Sequence, residues 1–150
     1  MRVGPLRVAT TSAIVIIGAC SADETTRADP SNARQVAAGK VVYDRHCAAC
    51  HGANLEGQPE WRSRLPNGRM PAPPHDDSGH TWHHDDDTLF GLTKFGLTPP
   101  YGPSGYQSDM PAFGSVLSDQ QIWDVLAYIK SRWSPRALEV QMKMQKKRGG

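Results

Sequence analysis

Cys47-Ala48-Ala49-Cys50-His51 is the segment that most restricts what this chain can become. Two thiols spaced C-x-x-C lie one helical turn apart, and a histidine follows at once. That spacing lets the two sulfurs add to the two vinyl groups of a porphyrin. The adjacent imidazole then comes to lie under the iron. C-x-x-C-H is the attachment sequence for c-type haem. A thioredoxin-like redox pair would need a βαβ pattern, which the sequence lacks. A zinc site would need a second cysteine pair. The third cysteine is Cys20, far upstream. The expectation is one haem c, held by Cys47 and Cys50, with His51 as an axial ligand.

Helical periodicity organises the rest, and no strand pattern is evident. Ser118 followed by Gln121 is a capping box that opens a final helix. Ile122, Val125, Leu126, Ile129 and Trp133 then fall on one face. Pro135 is expected to stop that helix. A first helix is expected from Ser31 or Asn32 to about Cys47, with Val36, Gly39, Tyr43 and Cys47 on one face. Glycine inside a helix costs about 1 kcal/mol against alanine, so Gly39 calls for a packing reason. A middle helix is expected from an Asp87 N-cap to Gly96, with Leu89, Phe90, Leu92 and Phe95 as its apolar set. The fold class is therefore all-α. All 11 aromatic residues lie between Tyr43 and Trp133, which bounds the globular part at about 31–134.

The haem motif comes early, after one helix. A Met-Pro loop comes late, before an amphipathic helix. In that order the chain resembles a bacterial class I mono-haem cytochrome c over about 100 residues. The resemblance implies a haem enclosed by crossing N- and C-terminal helices, a middle helix and long loops. It also implies that the first and last helices cross at a glycine and an aromatic. Gly39 and Tyr43 match one side of that crossing, Val125 and Tyr128 the other.

The second axial position has several candidates: Met70, Met110, His46, His75, His80, His83 and His84. His46 abuts Cys47 and is too close to reach the opposite haem face. Met110 lies in Tyr106-Gln107-Ser108-Asp109-Met110-Pro111-Ala112-Phe113-Gly114, shortly before the Ser118 helix start. This loop resembles the family's methionine-ligand loop in content and place, and Pro111 biases Met110 toward extended backbone. Met70-Pro71 is the rival, with no helix directly after it. His/Met ligation fills the iron's coordination sphere and raises its potential, which favours electron transfer over oxygen chemistry. The resemblance further implies that a proline carbonyl accepts the axial histidine's N–H. Pro59, eight residues past His51, is the candidate.

Residues 59–87 fit the family pattern least well. Trp61 and Trp82 are expected to cover porphyrin from a long loop. Arg62, Arg64 and Arg69 are candidate partners for haem propionates, since arginine suits carboxylates bidentately. His80, His83 and His84 with nearby aspartates form a candidate copper or zinc site.

The ends differ in character. Arg2 and Arg7 precede an uncharged run from Val8 to Ala19, too short to span a bilayer but fit for an export signal. It ends Gly18-Ala19-Cys20, which resembles a bacterial lipobox with Cys20 as the lipidated residue. Ser21 in place of aspartate points toward the outer membrane. Residues 1–19 are thus expected to be a lipoprotein signal peptide and 20–30 a flexible tether. Residues 135–150 are expected to be a basic tail, either a solvated extension or a short surface helix. The formal +2 of the chain divides into +2 before residue 20, +4 beyond residue 134 and −4 between them. A nucleic-acid partner is unsupported by an acidic domain.

The expected function is electron transfer in a periplasmic or membrane-surface respiratory chain, with redox proteins as partners and a lipid anchor in the membrane. The alternatives are a peroxidase-like subunit with a labile sixth ligand, and a haem protein that handles copper or assists oxidase assembly.

Overall fold

The computed structural model of the chain describes residues 27–148 together with Met1. Cys20 and the rest of the expected signal peptide and tether up to residue 26 lie outside the described residues. Among the described residues five α-helices follow one another: α1 Ala33–His46, α2 Ala48–His51, α3 Asp86–Phe95, α4 Asp119–Ser131 and α5 Pro135–Arg148. A single 3-10 turn, Thr81–His83, precedes α3. The fold is all-α, with no strand among the described residues. None of these helices is long and apolar enough to cross a membrane.

Helix α1 opens where the sequence placed it. The Asn32 side chain accepts from the Arg34 and Gln35 backbone amides, each at 3.2 Å. Helix α4 opens on the Ser118/Gln121 capping box, with reciprocal bonds of 2.9 and 3.2 Å. The two helices cross at Gly39. A Cβ there would stand 1.9 Å from the Asp124 carbonyl oxygen and 3.0 Å from Tyr128 Cβ. Only glycine permits that approach. Tyr43, fully buried, lies with its ring 5.3 Å from that of Tyr128. The backbone of Asp124, rather than Val125, supplies the closest contact; Val125 faces the central cavity instead.

Helix α4 is the axis of the core. Ile122 through Ile129 is buried except for Asp124, on more sides than one apolar stripe provides. It has α1 on one flank, α3 on another and α5 beyond its end. Its most surprising buried residue is Lys130. The ammonium donates to both Asp86 carboxylate oxygens, at 2.9 and 3.0 Å, and to the Ala28 carbonyl at 3.3 Å. All three of its donors are thereby matched, which is the condition for burying a charge at tolerable cost.

The three consecutive aspartates divide their work. Asp85, not Asp87, caps α3; its carboxylate accepts from the Thr88 amide at 2.9 Å. Asp86 turns inward to Lys130. Asp87 pairs outward with Arg27 at 2.6 Å. The run of identical residues hid this division from sequence reading. Within α3, Leu89 is buried and Phe90 stacks on Trp123, ring centroids 4.3 Å apart. Phe95 departs from its apolar set: it is half exposed and stacks on Tyr101.

Both expected margins of the domain shift. Pro135 does not stop α4, which ends at Ser131. Pro135 is instead the first residue of α5, a position where its missing N–H costs nothing. Ser134 Oγ accepts from the Ala137 amide, 3.2 Å away. Helix α5 is no solvated tail. Ala137 and Gln141 are buried; the Gln141 amide donates to Asp86 at 2.6 Å, and Gln145 accepts from the Asp86 backbone at 2.9 Å. A second polar stripe on one face, invisible to an apolar count, docks the helix. At the other margin the last residues of the expected tether are also packed. Ala28 is buried, and Arg27 lies over the Trp123 ring at 4.7 Å.

Candidate haem site

Helices α1 and α2 are one helix interrupted at Cys47. Cys47 caps both, and the His51 amide returns to the Cys47 carbonyl at 2.9 Å. The two thiols and the histidine are therefore set by a single helical turn. A cavity of about 430 Å³ opens beside it, in the range of ligand pockets. Cys47, Cys50 and His51 line it, as do Leu89, Leu126 and Ile129 from α3 and α4. Burial pushes the Cys47 thiol up to about 12, with Cys50 contributing, so it is held as thiol rather than reactive thiolate.

The His51 imidazole is buried, and its Nδ1 lies 2.8 Å from the Pro73 carbonyl oxygen. A carbonyl only accepts, so Nδ1 carries the proton and donates. Nε2 of the neutral ring is then left with a free lone pair. Burial lowers the His51 pKa, outweighing the Pro73 bond that raises it. The ring is thus kept neutral and ready to bind a metal.

This bond corrects the assignment of Pro59. That residue is exposed, and the acceptor lies fourteen positions later. The reason is a loop. The Gln58 amide bonds the Ala72 carbonyl at 2.9 Å, and the Ala72 amide returns to the Gln58 side chain at 3.3 Å. Residues 59–71 form an excursion closed at its base by these two bonds. The carbonyl that reaches His51 arrives only after the loop has closed. The prolines flanking Ala72 (Pro71, Pro73, Pro74) were the signal that sequence reading passed over.

Both candidate methionines reach the cavity. Met70 and Met110 line it and are half-buried. Their neighbours Arg69 and Asp109 form an ion pair that ties one Met-Pro loop to the other. The Met110 loop is fixed to α3 by the Phe113 amide on the Thr93 carbonyl, 3.0 Å, and the Gly114 amide on the Lys94 carbonyl, 2.9 Å. Met110 also donates its amide to Ser108 Oγ at 3.0 Å.

Of the histidine candidates, His46, His75, His80 and His84 line the cavity and His83 does not. His75 stacks on the His51 ring instead of standing apart from it, centroids 4.0 Å apart and planes 21° from parallel. Burial pushes its pKa well below the usual histidine range. His80 stacks on Trp61 at 5.5 Å and meets His84 edge-on. Burial lowers the pKa of both. His83 stacks on Trp82. Among the described residues no three His, Cys, Asp or Glu side chains converge as a metal site would require. The candidate copper or zinc site at His80, His83 and His84 is therefore not assembled.

Trp61 lines the cavity, whereas Trp82 does not; its buried Nε1 has no hydrogen-bond partner. None of the three arginines lines the cavity. Arg62 covers the Trp61 ring, Arg64 bonds the Gly68 carbonyl at 2.7 Å, and Arg69 pairs with Asp109. Each has a protein partner.

The donor set fits a haem. Two thiols sit one turn apart at the edge of an apolar cavity, beside a neutral imidazole with a free nitrogen. Thioether sulfur comes from two further loops. Comparison with known proteins agrees. The family model described as cytochrome c matches residues 36–133. Cytochrome c-555 of Prosthecochloris aestuarii is 32% identical over 102 residues, covering 63% of this chain and 84% of that protein. Subunit FixP of a cbb3-type cytochrome c oxidase from Azorhizobium caulinodans is 33% identical over 102 residues, covering 63% of this chain and 28% of that subunit. No solved structure gives a match. The chain belongs to the cytochrome c family, as a bacterial class I member that binds haem c covalently.

Proposed function

We propose that the chain is a one-electron carrier of a respiratory chain, exported and tethered to a membrane through lipid on Cys20. Cys47 and Cys50 form the thioethers, and His51 and Met110 are the axial ligands. Bound haem supplies an iron that cycles between the ferrous and ferric states. The protein's part is to hold that iron in one environment in both states. Pro73 fixes the His51 tautomer, the α3 contacts fix the Met110 loop, and the apolar walls exclude water.

The observation that carries this reading is the His51–Pro73 hydrogen bond at 2.8 Å beside the two cavity-lining thiols. It supports a neutral imidazole aimed by a rigid partner. The FixP likeness, confined to 28% of that subunit, supports a terminal oxidase as the kind of acceptor.

Carbon monoxide tests the carrier reading. The reduced protein is expected to keep its spectrum when mixed with the gas, because both axial positions are filled. Rapid conversion to a carbonyl complex contradicts it and favours a catalytic haem. Cys20→Ala tests the tether: the variant is expected in the soluble fraction, and retention on membranes contradicts the anchor.

A further inference from the structure

His75 was a candidate iron ligand in the sequence, but its ring lies flat against His51. The two imidazoles are 4.0 Å apart and nearly parallel. A ring in that position faces the ligand and cannot replace it. What surrounds His75 holds it there. Its Nδ1 is 2.9 Å from Thr81 Oγ1, and that hydroxyl donates onward to the Pro74 carbonyl at 3.5 Å. Tyr43 meets the ring edge-on, 6.3 Å between centroids. The His75 amide donates to the Leu55 carbonyl at 2.8 Å, and Trp133 Nε1 donates to the His75 carbonyl at 2.8 Å.

Pro73, two residues earlier, is the acceptor for His51 Nδ1. One tripeptide thus grips the imidazole twice, by a hydrogen bond at its edge and by a ring on its face. A hydrogen bond alone leaves a ring free to pivot about the bonded atom. A second flat ring in contact with its face removes that freedom. The in-plane direction of an axial imidazole splits the iron's π-symmetry orbitals, and groups around a ligand set its basicity.

We propose that His75 is a positioning residue for the haem: it fixes the rotation of the His51 ring and thereby sets the iron's electronic asymmetry and reduction potential. The proposal rests on His51 being an axial ligand.

The test uses the haem-loaded protein and compares native, His75→Leu, His75→Phe and Thr81→Val. The readouts are the paramagnetic resonance g-values of the oxidised form and the midpoint potential. His75→Leu removes the flat ring and is expected to shift both. His75→Phe keeps a flat ring and is expected to restore the g-values toward native. Thr81→Val preserves shape but frees the His75 ring, and is expected to shift the g-values less than the leucine variant, with no change of fold. Should His75→Leu fail to fold, the valine variant decides alone. Native g-values and potential in every variant that folds overturn the proposal. A native protein without a low-spin, histidine-ligated signal overturns the ligand assignment beneath it, a distinct failure.

Discussion

Arg69 and Asp109 are ion-paired, and each directly precedes a cavity-lining methionine that is itself followed by proline. The pair is partly exposed, so its direct contribution to stability is about 1 kcal/mol or less. Its leverage is local. It holds the two loops against each other beside the two candidate sulfur ligands. Asp109→Asn is therefore expected to change the unfolding free energy little. The same change should let cyanide displace the axial sulfur of the oxidised protein about fivefold faster, the factor that about 1 kcal/mol represents. Stopped-flow mixing with cyanide checks this, and an unchanged rate contradicts it.

The helix crossing leaves no room at Gly39. A Cβ 1.9 Å from a main-chain oxygen cannot be relieved by a rotamer change, because the Asp124 carbonyl belongs to the α4 backbone. Gly39→Val is expected to lower stability by about 3 kcal/mol as the helices are forced apart. Thermal unfolding followed by helical circular dichroism measures it. A melting temperature equal to native means the helices do not cross there.

The Lys130–Asp86 pair joins α4 to α3, and Gln141 joins α5 to the same aspartate. Asp86→Asn leaves a buried ammonium without its counter-charge, which typically costs about 3–5 kcal/mol. Adding Lys130→Met to that variant removes the stranded charge and is expected to recover part of the loss. Urea unfolding of the single and double variants checks the order. A single variant as stable as native contradicts the buried pair. Ending the chain after Ser134 should also destabilise the fold, since it strips Gln141 from Asp86 and uncovers Ala137.

Much of this was legible in the sequence, for reasons that are local. The haem motif, the Asn32 region, the Ser118/Gln121 box and Gly39 each act within one helix turn or through one forced contact. The failures all involve partners distant in sequence. Nothing near His51 reveals that residues 59–71 close on themselves and hand the hydrogen bond to Pro73. Helix α5 is basic and poor in apolar residues, and it docks through glutamines on a buried aspartate 55 and 59 positions away. Among three adjacent aspartates, the cap was chosen by which of them Lys130 and Arg27 claimed. His75, by contrast, stood in the sequence only as one of several candidates for the second axial position. Its role became visible only when its ring was found lying on that of His51.

The central claim is that Met110 supplies sulfur to the iron opposite His51, although Met70 lines the same cavity. The most direct measurement is the near-infrared spectrum of the oxidised, haem-loaded protein, where sulfur bound to ferric iron gives a charge-transfer band. The band is expected in native protein and in Met70→Ala, and is expected to be lost in Met110→Ala. A band that survives Met110→Ala and disappears in Met70→Ala would contradict it.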